Sequence, residues 1–489
     1  MREFTMGTEA DVVALLLVAA HVILGGIATV LVSANRRPSA AIAWVLTIIF
    51  IPFVGVVAFL LVGLGRLPAS RREKQRYVSA LMLERTDGLS DLSHGAEWPD
   101  WLASMVALNR NLGALPMVGG NSARLIEDYV GSLDAMIADI DTATDFVHVE
   151  FFILVHDPTT APFFDALARA RQRGVTVRVL SDHVSGFLYP RRKETQAVLR
   201  EMGAEYYPML PIKFRRYYQR PDLRNHRKLV VVDGRVGFTG SQNLIDAAYH
   251  KKKNISRGLH WHELMVRLEG PVVRELDAVF VTDWYSESDV LLPIDTSPVV
   301  VGGNPDLLDA QVVPSGPTFD NDNNLKLFAA MIHNAHRRIS ITSPYFVPDE
   351  SLLLALVTAG SRGLDVELFV SEIGDQFLVY HAQRSYYEAL LRAGVKIYLY
   401  RAPTVLHAKH FTIDEEVAII GSSNMDIRSL SLHMELSVMV HGKEFVDAMR
   451  LVEDDYRSKS TQVDLQEWLA RPHQQKIRDN LSRLTSSLQ

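Results

Sequence analysis

The chain of 489 residues contains no cysteine, which excludes disulfides, thiolate metal sites and cysteine nucleophiles and leaves the redox compartment unmarked. It also lacks an excess of positive charge: 51 Lys and Arg stand against 57 Asp and Glu, a net charge of −6. A broadly basic nucleic-acid-binding face is therefore not expected, because a phosphate backbone calls for a cationic footprint. A third absence is local. Val12 to Ala34 and Ala40 to Gly65 are runs of 23 and 26 residues without a formal charge, and each is long enough to cross a hydrocarbon core of about 30 Å. The short connection NRRPS between them predicts a two-helix transmembrane hairpin over residues 1–66. A cleaved leader fits less well, since three acids and one arginine precede the first run and a second run follows directly. Arg66, Arg71, Arg72, Lys74 and Arg76 crowd the exit of the second run and outweigh Arg36 and Arg37, which places everything downstream on the cytoplasmic side. Pro52 and Gly55 sit mid-run and predict a kinked or re-entrant second segment.

What is present downstream is the composition of a globular protein, 48% hydrophobic and 22% charged overall, in a chain too long for one ordinary core. Residues 67–120 are polar and irregular and read as a linker with short helices. Beyond it, β-type runs alternate with helical patterns: FVHVEFFIL (146–154), then APFFDALARARQRG (161–174), VTVRVLSD (175–182), TQAVLREMG, and a strand pair in KLVVVDGRVGFTG. The order repeats in RRISITSPYFV (337–347), ESLLLALVTAGSRG (350–363), LDVELFVSE (364–372), SYYEALLRAG and HFTIDEEVAIIG. Such alternation implies an α/β sheet covered by helices. The repetition implies two lobes, 121–295 and 296–460, about a pseudo-two-fold axis, with a helical tail at 461–489.

The repeat carries chemistry. Residues 226–243 read HRKLVVVDGRVGFTGSQN and residues 407–424 read HAKHFTIDEEVAIIGSSN. His226, Lys228, Asp233, Gly240, Ser241 and Asn243 recur as His407, Lys409, Asp414, Gly421, Ser422 and Asn424, each 181 residues later. Six specified positions match by accident with a probability on the order of 10⁻⁸ per start site. A histidine two residues before a lysine on a strand puts both side chains on one face. One imidazole can then attack an electrophile while the cation stabilises developing charge. Two such sets facing each other supply a nucleophile, a general acid, two ammonium groups and two Asn amides, for which a phosphodiester is the natural target.

This paired pattern resembles the phospholipase D superfamily. Flanking segments, among them HVEFFI (148–153), WHELMVRLEGPVV (261–273), QVVPSGP (311–317), TSPYFVPD (342–349) and SSNMDIRS (422–429), are similar to those of the bacterial cardiolipin synthases of the phospholipase D type. The resemblance runs from the hairpin to about residue 460. It implies a duplicated phospholipase D-like α/β/α sandwich in the bacterial inner membrane. It also implies transfer of a phosphatidyl group between two phosphatidylglycerol molecules, giving cardiolipin and glycerol through a phosphohistidine, without a metal or other cofactor. Carried over residue by residue, His226 matches the nucleophile and His407 the acid/base, with the reverse left open. Lys228, Lys409, Asn243 and Asn424 match phosphate-binding groups, and Glu263 and Glu435 match acids that orient the imidazoles. Asp233 and Asp414 belong to the catalytic signature, although physically they look like turn-forming groups. Ser241 and Ser422 replace a frequent glycine and add a donor. His262 stands where arginine is expected, and LSLHMEL (430–436) is looser than the family's aromatic-Asn-Phe-Glu.

Hydrolysis by water in place of the second lipid, or another phosphatidyl transfer, is the alternative activity. Nuclease chemistry and a silent lipid-binding scaffold fit less well, and homo-oligomerisation is left open. Three weaker signals stand apart. His260, His262 and Glu263 could be drawn as a metal cluster but read more simply as structural. Glu150 lies inside an apolar strand and needs a partner, either a site lysine or headgroup or a structural ion pair. IKFRRYYQR (212–220) interleaves cations and rings in a way that suits a lipid interface more than a nucleic-acid stacking surface.

Overall fold

The structure, a computed structural model, describes residues 4–33, 38–59, 63, 69–86, 98–113, 115–212, 222–293, 307–317, 319 and 322–486. The chain divides into two compact units: Met1–Arg66 with Lys213–Asp222, and Leu67–Ile212 with Leu223–Gln489.

In the first unit, helix α1 (Phe4–Ser33) contains Asp11–Val32, a stretch long and apolar enough to cross a membrane. The second uncharged run is not one continuous helix. Helix α2 (Pro38–Phe50) stops at Ile51, whose φ of −135° and ψ of 68° leave the helical region, and α3 (Pro52–Ala58) restarts with proline in its first turn. Proline has no N–H to give the preceding turn and is tolerated only where that donor is spare, so the break falls at the expected residue. Gly55 allows the two pieces to close up, because a Cβ there would lie 2.8 Å from the Thr47 carbonyl oxygen. Ala28 and Val32 of α1 are buried in one cluster with Ala41, Ile48 and Phe59. Most of IKFRRYYQR (residues 213–220) lies outside the described residues.

In the second unit, fifteen strands of the described residues form one sheet. In chain order they are β1 (Val118–Ile126), β2 (Phe146–Phe151), β3 (Thr176–Asp182), β4 (Glu205–Met209), β5 (Lys228–Val232), β6 (Val236–Gly240) and β7 (Met265–Glu269). There follow β8 (Leu308–Ser315), β9 (Arg338–Thr342), β10 (Asp365–Ser371), β11 (Lys396–Tyr400), β12 (His410–Ile413), β13 (Val417–Gly421), β14 (Glu435–His441) and β15 (Ser460–Gln462). Their order is β15-β11-β10-β9-β12-β13-β14-β8-β1-β7-β6-β5-β2-β3-β4. Strand n of the first seven is thus matched by strand n+7, outward from a centre between β1 and β8. In each half the pairs β2–β3 and β3–β4, or β9–β10 and β10–β11, are parallel, and the remaining pairs are antiparallel. The two lobes therefore share one sheet, joined where Val118 faces Ala310 and Asn121 faces Leu308. β1 changes partner along its length, and Asn121 secures the irregular step: its amide donates to the Leu308 carbonyl and its oxygen accepts from the Val272 amide.

Helices cover both faces of this sheet. One face carries two separate cores: Leu133, Phe163 and Leu167 pack on the first lobe, and Phe328, Leu352 and Leu356 on the second. The other face carries a single core, in which helices Val272–Ser288 and Lys443–Ser458 pack across strands of both lobes. Residues 69–86 are one 18-residue helix rather than part of a linker with short helices. It was hidden by its polarity, yet Val78 is fully buried in the shared core. Arg71 pairs with Glu287 at 2.7 Å and Lys74 with Asp289, so two of the cations read as membrane flanks hold this helix to Val272–Ser288. The tail is similarly docked: β15 extends the sheet, and Asp479 is buried against His381 and Arg471.

Candidate active site

The two motif histidines immediately precede β5 and β12, on short segments held by the opposite lobe. His226 N–H donates to the Met434 carbonyl at 2.8 Å, and His407 N–H to the His262 carbonyl at 2.7 Å. Beside them, Thr404–Leu406 pairs in parallel with His260–His262, and Asn225 bridges Met434 in the same sense. Each lobe thus presents its histidine along the segment that leads into the other lobe's glutamate.

The consequence is a crossed pairing. His226 Nδ1 lies 3.1 Å from both Glu435 carboxylate oxygens, and His407 Nδ1 lies 2.8 Å from both oxygens of Glu263. With Nδ1–H donated to a carboxylate, each Nε2 is left with its lone pair. The glycines of the motif make room for this. A Cβ on Gly240 would sit 2.4 Å from the Leu264 carbonyl oxygen, and one on Gly421 2.2 Å from that of Leu436. Both carbonyls directly follow the acids. The serines after them add bonds: Ser422 Oγ donates to Glu435, and the Ser241 hydroxyl both supports Glu263 and accepts from the Leu264 amide at 2.9 Å.

Lys228 and Lys409 are buried beside the imidazoles. Each ammonium donates to the carbonyl of its own motif histidine, and Lys409 Nζ also stands 3.2 Å from both ring nitrogens of His407. Burial pushes Lys228 down to about 7 and Lys409 to about 8, against the pull of the two glutamates. Burial likewise drives His226 down to about 3, although Glu435 opposes it, and lowers His407 against Glu263. Burial alone would raise both glutamates, but the paired imidazoles outweigh it and hold Glu435 and Glu263 below the ordinary carboxylate range. The charge of Lys409 lowers Lys228 and that of Lys228 lowers His407, so the two sets, already joined by the crossed dyads, share one electrostatic cluster. A phosphate oxygen between them would add negative charge and favour the cationic form of both lysines.

The expected asparagines divide. The Asn243 amide donates to Tyr249 Oη at 3.0 Å and its oxygen accepts from the Ile153 amide at 3.2 Å, whereas the buried Asn424 oxygen has no partner among the described residues. Asp233 and Asp414 are not brought into the cluster. They sit in the turns at the far ends of β5 and β12; Asp233 is roughly 17 Å along the strand from Lys228. Asp233 accepts from the amides of Thr144, Asp145 and Phe146, and Asp414 from those of His336, Arg337 and Arg338. Both adopt positive φ, 51° and 49°. Burial pushes the Asp233 carboxyl up, but the three amides and Arg235 outweigh it and hold it low. They organise turns and the strands β2 and β9 behind them.

Three neighbours were not foreseen. Tyr249 Oη bridges Asn243 to Glu263 at 3.0 Å. Phe152 packs edge-on to His226 with centroids 5.0 Å apart, directly after the strand that HVEFFI marked. His433 stands 5.5 Å from His226 and 3.7 Å from Glu435, at the family's asparagine position. His226, His433 and Glu435 form a group whose potential ligand atoms lie within 4.8 Å of one another, but Glu435 already serves His226 and Ser422. His260 instead bonds Thr404, and His262 stacks on Tyr400, so neither forms a metal cluster with Glu263. Glu150 accepts from Asn225 at 2.7 Å and lies in the field of the buried Arg227–Asp283 pair, with no site lysine bonded to it among the described residues.

A duplicated sheet with one histidine-lysine set per lobe is the architecture of phospholipase D-like proteins. A solved phosphatidylserine synthase of Haemophilus influenzae Rd KW20 shares the fold, with a TM-score of 0.57 at 14% identity over 78% of this chain and 99% of that one. The family model described as cardiolipin synthase, PLD-like domain, matches residues 136–284 and 328–452, and one described as phospholipase D-nuclease N-terminal matches residues 13–63. Cardiolipin synthase A of Proteus mirabilis (strain HI4320) is 31% identical over 93% of this chain and 94% of its own length. Cardiolipin synthase A of Pectobacterium carotovorum subsp. carotovorum (strain PC1) is 30% identical over 97% and 98%. The chain belongs to the cardiolipin synthase family of phospholipase D-like enzymes.

Proposed function

We propose that the chain is a membrane phosphatidyltransferase that makes cardiolipin and glycerol from two phosphatidylglycerol molecules at the His226–His407 site. The observation that carries this is the crossed pair of imidazole–carboxylate dyads with two buried lysines in one cluster. His226 Nε2 attacks the phosphorus of the first lipid; a P–N bond forms as the P–O bond to glycerol breaks. The anionic phosphodiester bound beside it favours the protonated form of His407, which, supported by Glu263, gives its proton to the departing glycerol oxygen. It then takes the proton of the second lipid's glycerol hydroxyl, whose oxygen displaces His226 from phosphorus. The charge on the non-bridging oxygens falls between Lys228 and Lys409, so the step is assigned no metal.

The same reading takes residues 121–295 and 296–460 as the two catalytic lobes and α1 with α2–α3 as a membrane hairpin. Asp11–Val32 supports one crossing; the interrupted α2–α3 suits a kinked return. The catalytic part is placed in the cytoplasm, nucleic acid is not a substrate, and assembly of several copies is left open.

Reconstitution with phosphatidylglycerol vesicles in the presence of chelator tests the assignment. Cardiolipin plus glycerol is the expected outcome; phosphatidic acid plus glycerol would make the protein a hydrolase. An acid-labile phosphoryl adduct should form on His226, and its appearance on His407 would exchange the two roles.

A further inference from the structure

The rim of the site carries a repeated feature that catalysis does not use. After β3 the chain turns into Phe187 and Leu188, 61% and 68% exposed, and after the equivalent strand β10 into Phe377 and Leu378, 62% and 49% exposed. Single exposed apolar residues are ordinary, but the same dipeptide at matching places in two lobes is a paired device. Both lie beside the catalytic groups. Ser185 Oγ donates to the carbonyl of Phe152, which packs on His226. Tyr345 packs 6.2 Å from His407 and donates to Asp375, two residues before Phe377. Tyr189, just after the first pair, and Ile373, just before the second, pack with Phe152 on one buried cluster that includes Val405, which brings the two turns to the same side of the site.

Cations surround the first pair. Arg191, Lys193 and Lys251 to Lys253 are exposed, Arg192 stacks 3.8 Å over Phe187, and Lys251 lies 5.4 Å over Tyr189. Glu194, paired with Arg191 at 3.5 Å, is the acid among them. Beside the second pair, Leu378, Ile477 and Leu481 line a groove with Arg478. The second turn carries Glu372 and Asp375 before its apolar tip, so the cationic collar belongs to the first pair. Rings and leucines at both turns, with lysine and arginine around Phe187–Leu188, suit an anionic bilayer, where apolar tips enter the acyl boundary and cations meet headgroups.

We infer that the Phe187–Leu188 and Phe377–Leu378 turns dock the catalytic opening onto an anionic lipid bilayer, so that lipids enter without crossing water. This rests on the phosphatidyl-transfer reading above. Because the chain has no cysteine, Leu188→Cys, Leu378→Cys and, as control, Leu451→Cys on helix Lys443–Ser458 can each carry a single environment-sensitive label in the full chain. In phosphatidylglycerol nanodiscs with a lipid-borne quencher, labels at 188 and 378 should be quenched at least about threefold more than that at 451, and less so in phosphatidylcholine. Equal quenching at all three would overturn the inference. So would a shift that appears in detergent and grows with protein concentration, which would assign the patch to a second copy of the chain. Serine at all four positions should raise the apparent KM for vesicle phosphatidylglycerol about tenfold, with turnover of dispersed short-chain phosphatidylglycerol unchanged. Unchanged KM on vesicles would also overturn it. Failure of the unsubstituted chain on the short-chain lipid would defeat the transferase reading instead, while the labels still decide the docking.

Discussion

Residue by residue, the site separates groups that react from groups that hold them. His226→Ala and His407→Ala should each lower turnover at least about 10³-fold without changing the melting temperature appreciably; near-normal cardiolipin formation by either would defeat the two-histidine site. Glu435→Gln should leave the imidazole a partner but remove the charge that supports it. Its kcat should fall on the order of 10²- to 10⁴-fold with little change in lipid KM. The lysines set the pH dependence. In the free enzyme their cationic form is lost as pH rises through about 7 for Lys228 and about 8 for Lys409. Bound phosphate favours that cation, so kcat/KM should decline as pH rises above about 7 while kcat holds to higher pH. Identical alkaline limbs in both parameters would speak against these lysines as the phosphate groups. His226, held neutral down to about 3, should contribute no acid limb near neutrality.

At the scale of elements, the motif's glycine and aspartate act on strands. Asp233→Ala removes the carboxylate that accepts from three backbone amides in a half-buried turn and should cost about 2–4 kcal/mol of stability, with kcat of the folded fraction within a few-fold of normal. A thermal melt alongside an activity assay separates this from a chemical role. Gly421→Ala should damage both, because the added carbon meets the Leu436 backbone next to Glu435. Most of these elements were legible in the sequence. The runs that alternate or stay apolar became strands: VTVRVLSD is β3, and LDVELFVSE contains β10. The helix Ala69–Thr86 was not, since its buried contacts are few and charged residues dominate its surface. The carboxylates could be named but not assigned. Nearness in sequence joins Glu263 to His226 and Glu435 to His407, whereas the fold joins partners 209 and 144 residues apart. That choice is made by strand crossing between lobes, which no local pattern encodes.

For the whole molecule, the shared sheet and shared core mean that neither lobe is a module. Helices Val272–Ser288 and Lys443–Ser458 bury side chains in one core with β5, β7, β8 and β14. Thermal or urea unfolding of the second unit should therefore follow one transition that Trp284, in the first lobe, and Trp468, in the tail packed on the second lobe's core, report together. Two separated steps would show that the lobes fold independently. The crossed dyads carry a further consequence for descent. A histidine whose carboxylate belongs to the other repeat ties the two copies' histories together, because drift in either copy is felt first in its sibling. Genetic suppressors of a lesion around Glu263 should accordingly cluster about His407, in the half of the gene that the lesion never touched.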